Sequence, residues 1–289
     1  MSKMEDVAAQ SHNAPGFRGI RLNWDWVTRP LFGMALAVVT IAAIFAGDIY
    51  MAVFVGAVGI AAAREWHRMI TTRLFGTDFY ITSTAIAATL GAVLLWPHSL
   101  VPWLILATGT AVAVGVAVSR REPAVWQGGG VLYLGVPVLT LMLLRTAPHG
   151  AMIIVGLFVA VWATDTGALI CGNLVGGPRL WPALSPNKTW AGTVGGVAVA
   201  AAAEAAFVVF LGGDALFGAI VGCGLAVVAH SGDLFESWVK RVFQRKDSGS
   251  MIPGHGGVLD RIDSTLATIP FLAGLVLLAG FNPLFGSFS

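Results

Sequence analysis

Three aspartates flank a charged segment near the C-terminus of this 289-residue chain. Asp233 follows one apolar stretch, and Asp260 and Asp263 precede the next. Because residues three apart on a helix share a face, the last two carboxylates are expected to point at one site. Three carboxylates, together with water and phosphate oxygens, suit a hard divalent ion such as Mg²⁺. The sequence carries no His/Cys cluster of the kind that holds zinc, so the spacing predicts a magnesium-type site for chemistry on phosphates.

The segment between these aspartates is rich in cations and glycine. Its basic residues suited to a polyphosphate are Lys240, Arg241, Lys246 and His255. Glycines beside His255, among them Gly256 and Gly257, would let the backbone approach a ligand closely. A connecting loop on the cytoplasmic side of a membrane protein also gathers Lys and Arg. That alternative accounts for the cations, but not for the three aspartates or for the Gly-His-Gly-Gly turn.

A second candidate region lies upstream. Asp165 stands in the sequence WATDTGA, well along an apolar stretch. An ionisable residue at membrane depth costs at least about 2.5 kcal/mol, so it marks a functional site unless it has reached the headgroups. Further on, Ser185, Lys188 and Thr189 precede a glycine-rich helix start, and a helix N-terminus suits phosphate. The alternative for these residues is a capping box on a re-entering helix, which the motif alone does not separate from a phosphate site.

The composition determines what kind of scaffold must hold these residues. The chain is 56% hydrophobic and 11% charged, with a mean hydropathy of +0.79, whereas soluble domains carry about 25% charged residues. So few charges cannot cover a globular surface, which excludes a soluble protein and predicts an all-α, polytopic integral membrane protein. Cys171 and Cys223 both lie in apolar surroundings, so a disulfide framework is not expected.

Apolar segments of about the 20 residues needed to cross a bilayer recur along the chain. About nine candidates are present, at 30–47, 49–63, 80–96, 100–118, 125–144, 151–171, 192–211, 215–231 and 265–282. With a cytoplasmic N-terminus, every Lys and Arg except Arg145 lies on the cytoplasmic side, as the positive-inside rule requires. We therefore expect a cytoplasmic tail at 1–29, one transmembrane domain at 30–289, and active-site loops 172–191 and 232–264 on the same face.

The C-terminal segment resembles the signature of phosphatidate cytidylyltransferases, also called CDP-diacylglycerol synthases, which reads S-x-x-K-R-x4-K-D-x-G-x-x-I-P-x-H-G-G-x-x-D-R-x-D. The matching residues are Ser237, Lys240, Arg241, Lys246, Asp247, Gly249, Ile252, Pro253, His255, Gly256, Gly257, Asp260, Arg261 and Asp263. The segments WATDTGA and SPNKTW resemble the family's second block, and REWHRM at 64–69 resembles a third. The chain departs from the family at Asn187 and Ala191, where Lys and Glu are usual, and at Asn173, where Arg is common.

The resemblance implies transfer of CMP from CTP to phosphatidic acid, giving CDP-diacylglycerol and pyrophosphate for phospholipid biosynthesis. It implies Mg²⁺ (or Mn²⁺), for which we expect Asp233 and Asp260 as ligands, and a second cation such as K⁺. The catalytic residues it indicates are Asp165, Lys188, Lys240 and Asp263. The substrate-binding residues it indicates are Ser185, Asn187, Thr189, Ser237, Arg241, Lys246, Asp247, His255, Gly256, Gly257 and Arg261. It leaves open which loop binds CTP and which binds the lipid phosphate.

The same resemblance implies a homodimer in the cell inner (plasma) membrane, with the active site facing the cytoplasm and no nucleic-acid partner. Two other functions compete with this interpretation. One is a cytidylyltransferase that acts on a different lipid phosphate, such as an isoprenoid-based one. The other is an ion or solute transporter, which is less favoured because the sequence lacks the internal symmetry typical of transporters.

Overall fold

The structure, a computed structural model, describes residues 25–249, 251, 256–278, 280–282, 284 and 287–288. Within them the chain forms nine α-helices: α1 (Asp25–Ala46), α2 (Asp48–Thr71), α3 (Thr77–Leu95), α4 (Val101–Ser119), α5 (Ala124–Thr146), α6 (Gly150–Val175), α7 (Trp190–Phe210), α8 (Ala215–Val242) and α9 (Leu259–Ala273). A π-helical turn, Gly274–Leu278, extends α9. The short strands are β1 (Arg179–Trp181), β2 (Ser185–Thr189), β3 (Phe281–Asn282) and β4 (Ser287–Phe288).

The predicted all-α membrane architecture is confirmed. Eight helices, α2 to α9 with the π-helical turn included, are long and apolar enough to cross a membrane. The first predicted span corresponds to α1, whose described apolar part, Gly33–Ala46, is shorter. The chain is therefore a multi-pass membrane protein in which each apolar segment of the sequence became a helix.

The helix ends differ from the predicted spans, and the difference changes where the charged residues lie. Helix α8 continues to Val242 rather than ending near 231, and α9 begins at Leu259 rather than 265. The predicted loop 232–264 is therefore mostly helical. Hydropathy measures how far a segment is apolar, whereas a helix continues as long as one face stays packed, and Val239 is fully buried in the charged end of α8.

The connection between α6 and α7 also differs from the predicted loop 172–191. Helix α6 extends to Val175, and two glycines with positive φ, Gly176 and Gly177, reverse the chain. Strands β1 and β2 then form an antiparallel hairpin that pairs Arg179 with Thr189. The hairpin delivers Asn187 and Lys188 to the start of α7.

Helices α6, α7 and α8 pack with their backbones close together because glycines line the contacts. A Cβ atom on Gly196 would lie 2.8 Å from the Thr164 carbonyl oxygen, and one on Gly222 would lie 2.6 Å from the Ala200 carbonyl oxygen. Such small-residue contacts let helices approach closely in a membrane. A second group, α2, α3 and α5, instead packs large side chains such as Trp66 and Leu134 into the core.

Candidate active site

A polar cavity of about 520 Å³ lies between α6, α7, α8 and the β1–β2 hairpin. Its polar lining residues are Asp165, Asn173, Arg179, Asn187, Lys188, Thr189, Thr193, His230 and Asp233. Five of the predicted site residues, namely Asp165, Asn187, Lys188, Thr189 and Asp233, are therefore brought together here from three different elements, α6, β2 and α8. Glycines from the end of α6 and the start of α7, such as Gly172 and Gly192, line the same cavity.

The charges in this cavity form an interacting group. The Lys188 ammonium lies 2.5 Å from a carboxylate oxygen of Asp233. The Asp165 carboxylate, which is exposed to the cavity, interacts electrostatically with Asp233, Asp263 and Lys188. The hydroxyl of Ser237, one turn further along α8, donates to Asp233 over 3.4 Å. A lysine that faces several carboxylates can neutralise a phosphate that enters beside them.

Thr189 has a structural role in addition to its place in the cavity wall. Its side-chain oxygen accepts a hydrogen bond from the Gly192 N–H at 3.0 Å, so it is the N-cap of α7. The capping alternative holds for Thr189 only as an N-cap, because a capping box needs Glu or Gln at the third helical position, which is Gly192. Ser185 begins strand β2 and is not among the residues lining the polar cavity.

A second charged group lies further along α8, near its C-terminal end, around Lys240. Its ammonium lies 3.0 Å from Asp260 and 3.3 Å from Glu236, which is 0% exposed. The carboxyls of Glu236 and Asp263 interact electrostatically, and Asp263 also interacts with Asp233. Asp263 therefore connects the group around Lys240 with the polar cavity.

Glu236 is a candidate site residue that sequence reasoning missed. Its spacing contained the signal, because Asp233, Glu236 and Lys240 recur at helical intervals and share one face. The three residues share a face because α8 continues to Val242, whereas the predicted span ends at residue 231.

Asp260 is held mainly by backbone groups. One carboxylate oxygen accepts from Lys240 at 3.0 Å and the Ser248 N–H at 3.2 Å, and the other from the Gly257 N–H at 2.9 Å. These bonds fix the start of α9 against the chain that leaves α8. The predicted proximity of Asp260 and Asp263 agrees with this arrangement, because both interact with Lys240.

Other predicted residues lie away from the polar cavity. Arg241, Lys246 and Asp247 are exposed, and Asp247 lines a separate cavity of about 180 Å³ together with Arg68 and Arg245. Gly256 adopts a positive φ of 84°, in keeping with the predicted glycine-rich turn. His255 lies outside the described residues, so its predicted role stays a prediction.

An apolar cavity of about 420 Å³ lies between α1, α2, α5, α6 and α9. Its lining is almost wholly aliphatic and aromatic, with Thr40, Thr265 and Arg261 as the polar exceptions. Arg261 also interacts electrostatically with Asp165. Trp162, which lines the apolar cavity, lies one turn before Asp165 on α6, so the two cavities approach each other along α6 near Asp165.

The described residues contain no group of three or more His, Cys, Asp or Glu side chains arranged to enclose a metal ion. The chemistry of the donors nevertheless fits Mg²⁺, which needs only one or two protein carboxylates when water and substrate phosphates complete its shell. The carboxylates of Asp233 and Asp260 each contact an ammonium group, that of Lys188 and that of Lys240.

The cytidylyltransferase family profile matches residues 27–279, from α1 through the π-helical turn. The chain belongs to the cytidylyltransferase family. The match covers every element that builds the two cavities.

Curated members of the family show similarity over most of their length. A protein named phosphatidate cytidylyltransferase from Brucella suis is 35% identical over 253 residues, covering 85% of this chain and 91% of that protein. One of the same name from Pseudomonas aeruginosa is 36% identical, covering 81% and 90%. A third, from Rickettsia bellii, is 38% identical over 160 residues, which covers 51% of this chain and 69% of that protein. The resemblance found in the sequence motifs is thus confirmed at the level of the family.

Proposed function

We propose that this chain transfers CMP from CTP to phosphatidic acid, giving CDP-diacylglycerol and pyrophosphate. The observation that carries the proposal is the approach of a polar, charged cavity to an apolar one along α6 near Asp165. An enzyme that joins a water-soluble nucleotide to a lipid needs one site of each kind, with the reacting groups at their boundary. A hydrophilic transport site would need no apolar cavity of this size.

The nucleotide is assigned to the polar cavity. Its wall offers Lys188, Asn187 and Arg179 at the mouth formed by the hairpin, and glycines where α6 meets α7. On entry of the triphosphate, Lys188 exchanges its contact with Asp233 for a phosphate oxygen. The N-terminus of α7 directs its partial positive charge toward the same cavity, which also favours phosphate.

The lipid is assigned to the apolar cavity, with its acyl chains along α1, α2, α5 and α9. Arg261 lies in the lining of this cavity and donates to the lipid phosphate. A guanidinium suits this role because it can hold two oxygens of one phosphate at a time. The proposal thereby assigns the two substrates to different elements of the bundle.

The reaction itself needs little proton chemistry. A phosphate monoester has its second pKa near 6, so the lipid phosphate is mostly a dianion at neutral pH and needs no strong general base. Its oxygen attacks the α-phosphorus of CTP, and the bond to the bridging oxygen breaks as pyrophosphate leaves with the electron pair. The main obstacle is repulsion between two anions, which Lys188, Lys240 and Arg261 reduce.

The cofactor and the setting belong to the same proposal. Mg²⁺ or Mn²⁺, held by Asp233 and Asp260 and joined by a second cation such as K⁺, supplies further charge neutralisation when bound. The distribution of Lys and Arg supports a cytoplasmic N-terminus and active site, in the inner membrane of a bacterial cell. The proposal includes a homodimer, which cross-linking in native membranes would test.

The experiment that tests the proposal is incorporation of labelled CTP into lipid by the purified protein. With phosphatidic acid and Mg²⁺, we expect a CDP-lipid and an equal amount of pyrophosphate, and EDTA should abolish both. A product formed with an isoprenoid phosphate but not with phosphatidic acid would show that the lipid substrate is the isoprenoid phosphate. No product with either lipid, from protein that remains folded, would overturn the proposal.

A further inference from the structure

Glu65, near the end of α2, is a buried carboxylate that neither cavity uses. Its side chain is 1% exposed, and one of its oxygens accepts a hydrogen bond from the Leu259 N–H at 2.8 Å. The same oxygen accepts from the Ser248 hydroxyl over 3.4 Å. Ser248 follows α8 and Leu259 begins α9, so one carboxylate holds both ends of the connection between these helices.

Two glycines allow the chain to close around this carboxylate. A Cβ atom added to Gly249 would collide with one oxygen of Glu65, and a Cβ added to Gly257 would collide with the other. No side chain fits at either position without displacing Glu65 or the backbone. The segments 248–249 and 257–259 are therefore fitted to the carboxylate on two sides.

The same two segments also hold Asp260. The Ser248 N–H donates to both carboxylate oxygens of Asp260, at 3.2 and 3.3 Å, and the Gly257 N–H donates at 2.9 Å. Asp260 in turn lies 3.0 Å from the Lys240 ammonium. Glu65 is thus connected to Lys240 through the backbone at Ser248 and Gly257 and through the Asp260 carboxylate.

We propose that Glu65 is a positioning residue of this enzyme. By holding segments 248–249 and 257–259 together, it fixes the geometry of Asp260 and Lys240 without touching either substrate. The use of reaction rate as the readout rests on the proposed function, since Asp260 and Lys240 are assigned to catalysis there. A displacement of such groups by about 1 Å can lower a rate by about 100-fold.

The first test compares Glu65→Ala with Glu65→Gln. Alanine leaves the buried Leu259 N–H without its acceptor, and we expect kcat to fall by about 100-fold. The KM values for CTP and phosphatidic acid should change by less than about threefold, because Glu65 lines neither cavity. Glutamine keeps an oxygen that can accept from Leu259, so it should retain kcat within about fivefold of the wild type.

Thr82→Val supplies the matched control. The hydroxyl of Thr82, on α3, makes a buried 2.8 Å hydrogen bond to His67, which lies on α2 two residues after Glu65. Its loss should lower the midpoint of thermal unfolding while leaving kcat unchanged. A Glu65→Ala variant whose kcat falls no further than that of Thr82→Val, at equal loss of thermal stability, would show a merely structural role.

Gly249→Ala keeps the test decisive if Glu65→Ala does not fold. Its methyl group pushes the segment away from the carboxylate without altering any charge, so the same fall in kcat with steady KM is expected. Wild-type kcat in this variant would overturn the proposal.

Hydrogen exchange separates failure of this inference from failure of the proposed function. In Glu65→Ala or Gly249→Ala, amides at 256–262 should exchange faster, whereas those of α3 should not, whatever lipid the enzyme uses. Unchanged exchange at 256–262 would overturn the positioning role even if the activity proved to be different.

Discussion

The two cavities differ in how their walls are made. The polar cavity is walled by backbone and short side chains, because glycines in α6 and α7 bring the helices together and leave charged groups from α6, α8 and the hairpin at its centre. The apolar cavity is walled mainly by apolar side chains, including bulky ones such as Phe54, Leu134 and Phe158. The first construction fixes charges in place, whereas the second leaves a deformable space for flexible chains.

The difference indicates how one bundle accommodates two unlike substrates. Affinity for the nucleotide should depend on a few charged groups, so a single substitution among them should lower activity strongly. Affinity for acyl chains is spread over many weak contacts, so a single substitution should change the KM for the lipid only slightly. At the boundary the two kinds of contact lie side by side, and there we expect Arg261 to act on the lipid phosphate and not on the nucleotide.

The largest effect is expected in the polar cavity, from Asp233→Asn. This change removes the carboxylate that contacts Lys188 and that we assign to the metal ion. We expect kcat to fall by about 1,000-fold with normal amounts of protein in the membrane. Ser231→Ala is the control, because Ser231 is exposed on the same helix and its hydroxyl bonds only within α8, to the Val227 carbonyl oxygen. Asp233→Asn with more than a tenth of wild-type turnover would contradict the assignment.

The boundary is tested by Arg261→Gln. Loss of the guanidinium should raise the KM for phosphatidic acid by about 10-fold to 100-fold, since a charged contact to phosphate is removed. The KM for CTP should stay within about twofold. Arg261→Lys keeps the charge but lacks the paired donors of the guanidinium. Its KM for phosphatidic acid should lie between those of the wild type and Arg261→Gln. A rise confined to the KM for CTP would show that Arg261 contacts the nucleotide rather than the lipid phosphate. It would contradict the assignment of the two substrates to the two cavities.

The apolar cavity should respond more mildly, to Thr265→Phe. The larger ring fills part of the cavity, so the KM for long-chain phosphatidic acid should rise by about threefold to tenfold. Short-chain lipid should be used as before. Val112→Phe, on the exposed face of α4, adds the same bulk away from the cavity. Equal effects of Thr265→Phe on long and short chains would show that the acyl chains lie elsewhere.

The smallest effect is expected from Asn187→Lys, which restores the residue usual in the family. Asn187 lines the polar cavity, so an added cation should lower the KM for CTP by about twofold to fivefold at low ionic strength. The gain should vanish at about 1 M salt, where the screening length is about 3 Å. Ala183→Lys places the same charge in the same connection but outside the cavity lining, and it should leave the KM unchanged.

Much of this could be predicted from the sequence, because lipid imposes a simple rule. Helices satisfy their own backbone hydrogen bonds, so each apolar segment had one available structure and the nine segments became nine helices. The motifs and the ends of the apolar segments predict charged residues of the site, among them Asp165, Lys188 and Asp233. Spacing along a helix also related Asp260 to Asp263.

What could not be predicted depends on contacts between distant parts of the chain. The position of Glu65 against Ser248 and Leu259 spans nearly two hundred residues, and no local pattern records it. The extension of α8 was missed because charged residues look like a loop until the packing of Val239 is known. Arg241 and Lys246 looked equivalent to Lys240 in the sequence, but only Lys240 faces inward from its helix.

The glycine contacts between α6 and α7 have a consequence for genetics. A Cβ on Gly167 would lie 2.7 Å from Val199, and one on Gly196 would lie 2.8 Å from a carbonyl oxygen of α6, although neither glycine lines a cavity. Every codon change that alters either residue adds at least that atom. A screen for inactive alleles would therefore return both positions beside the charged ones. Unless the amount of protein in the membrane were measured as well, two residues that only set the distance between helices would be counted as catalytic.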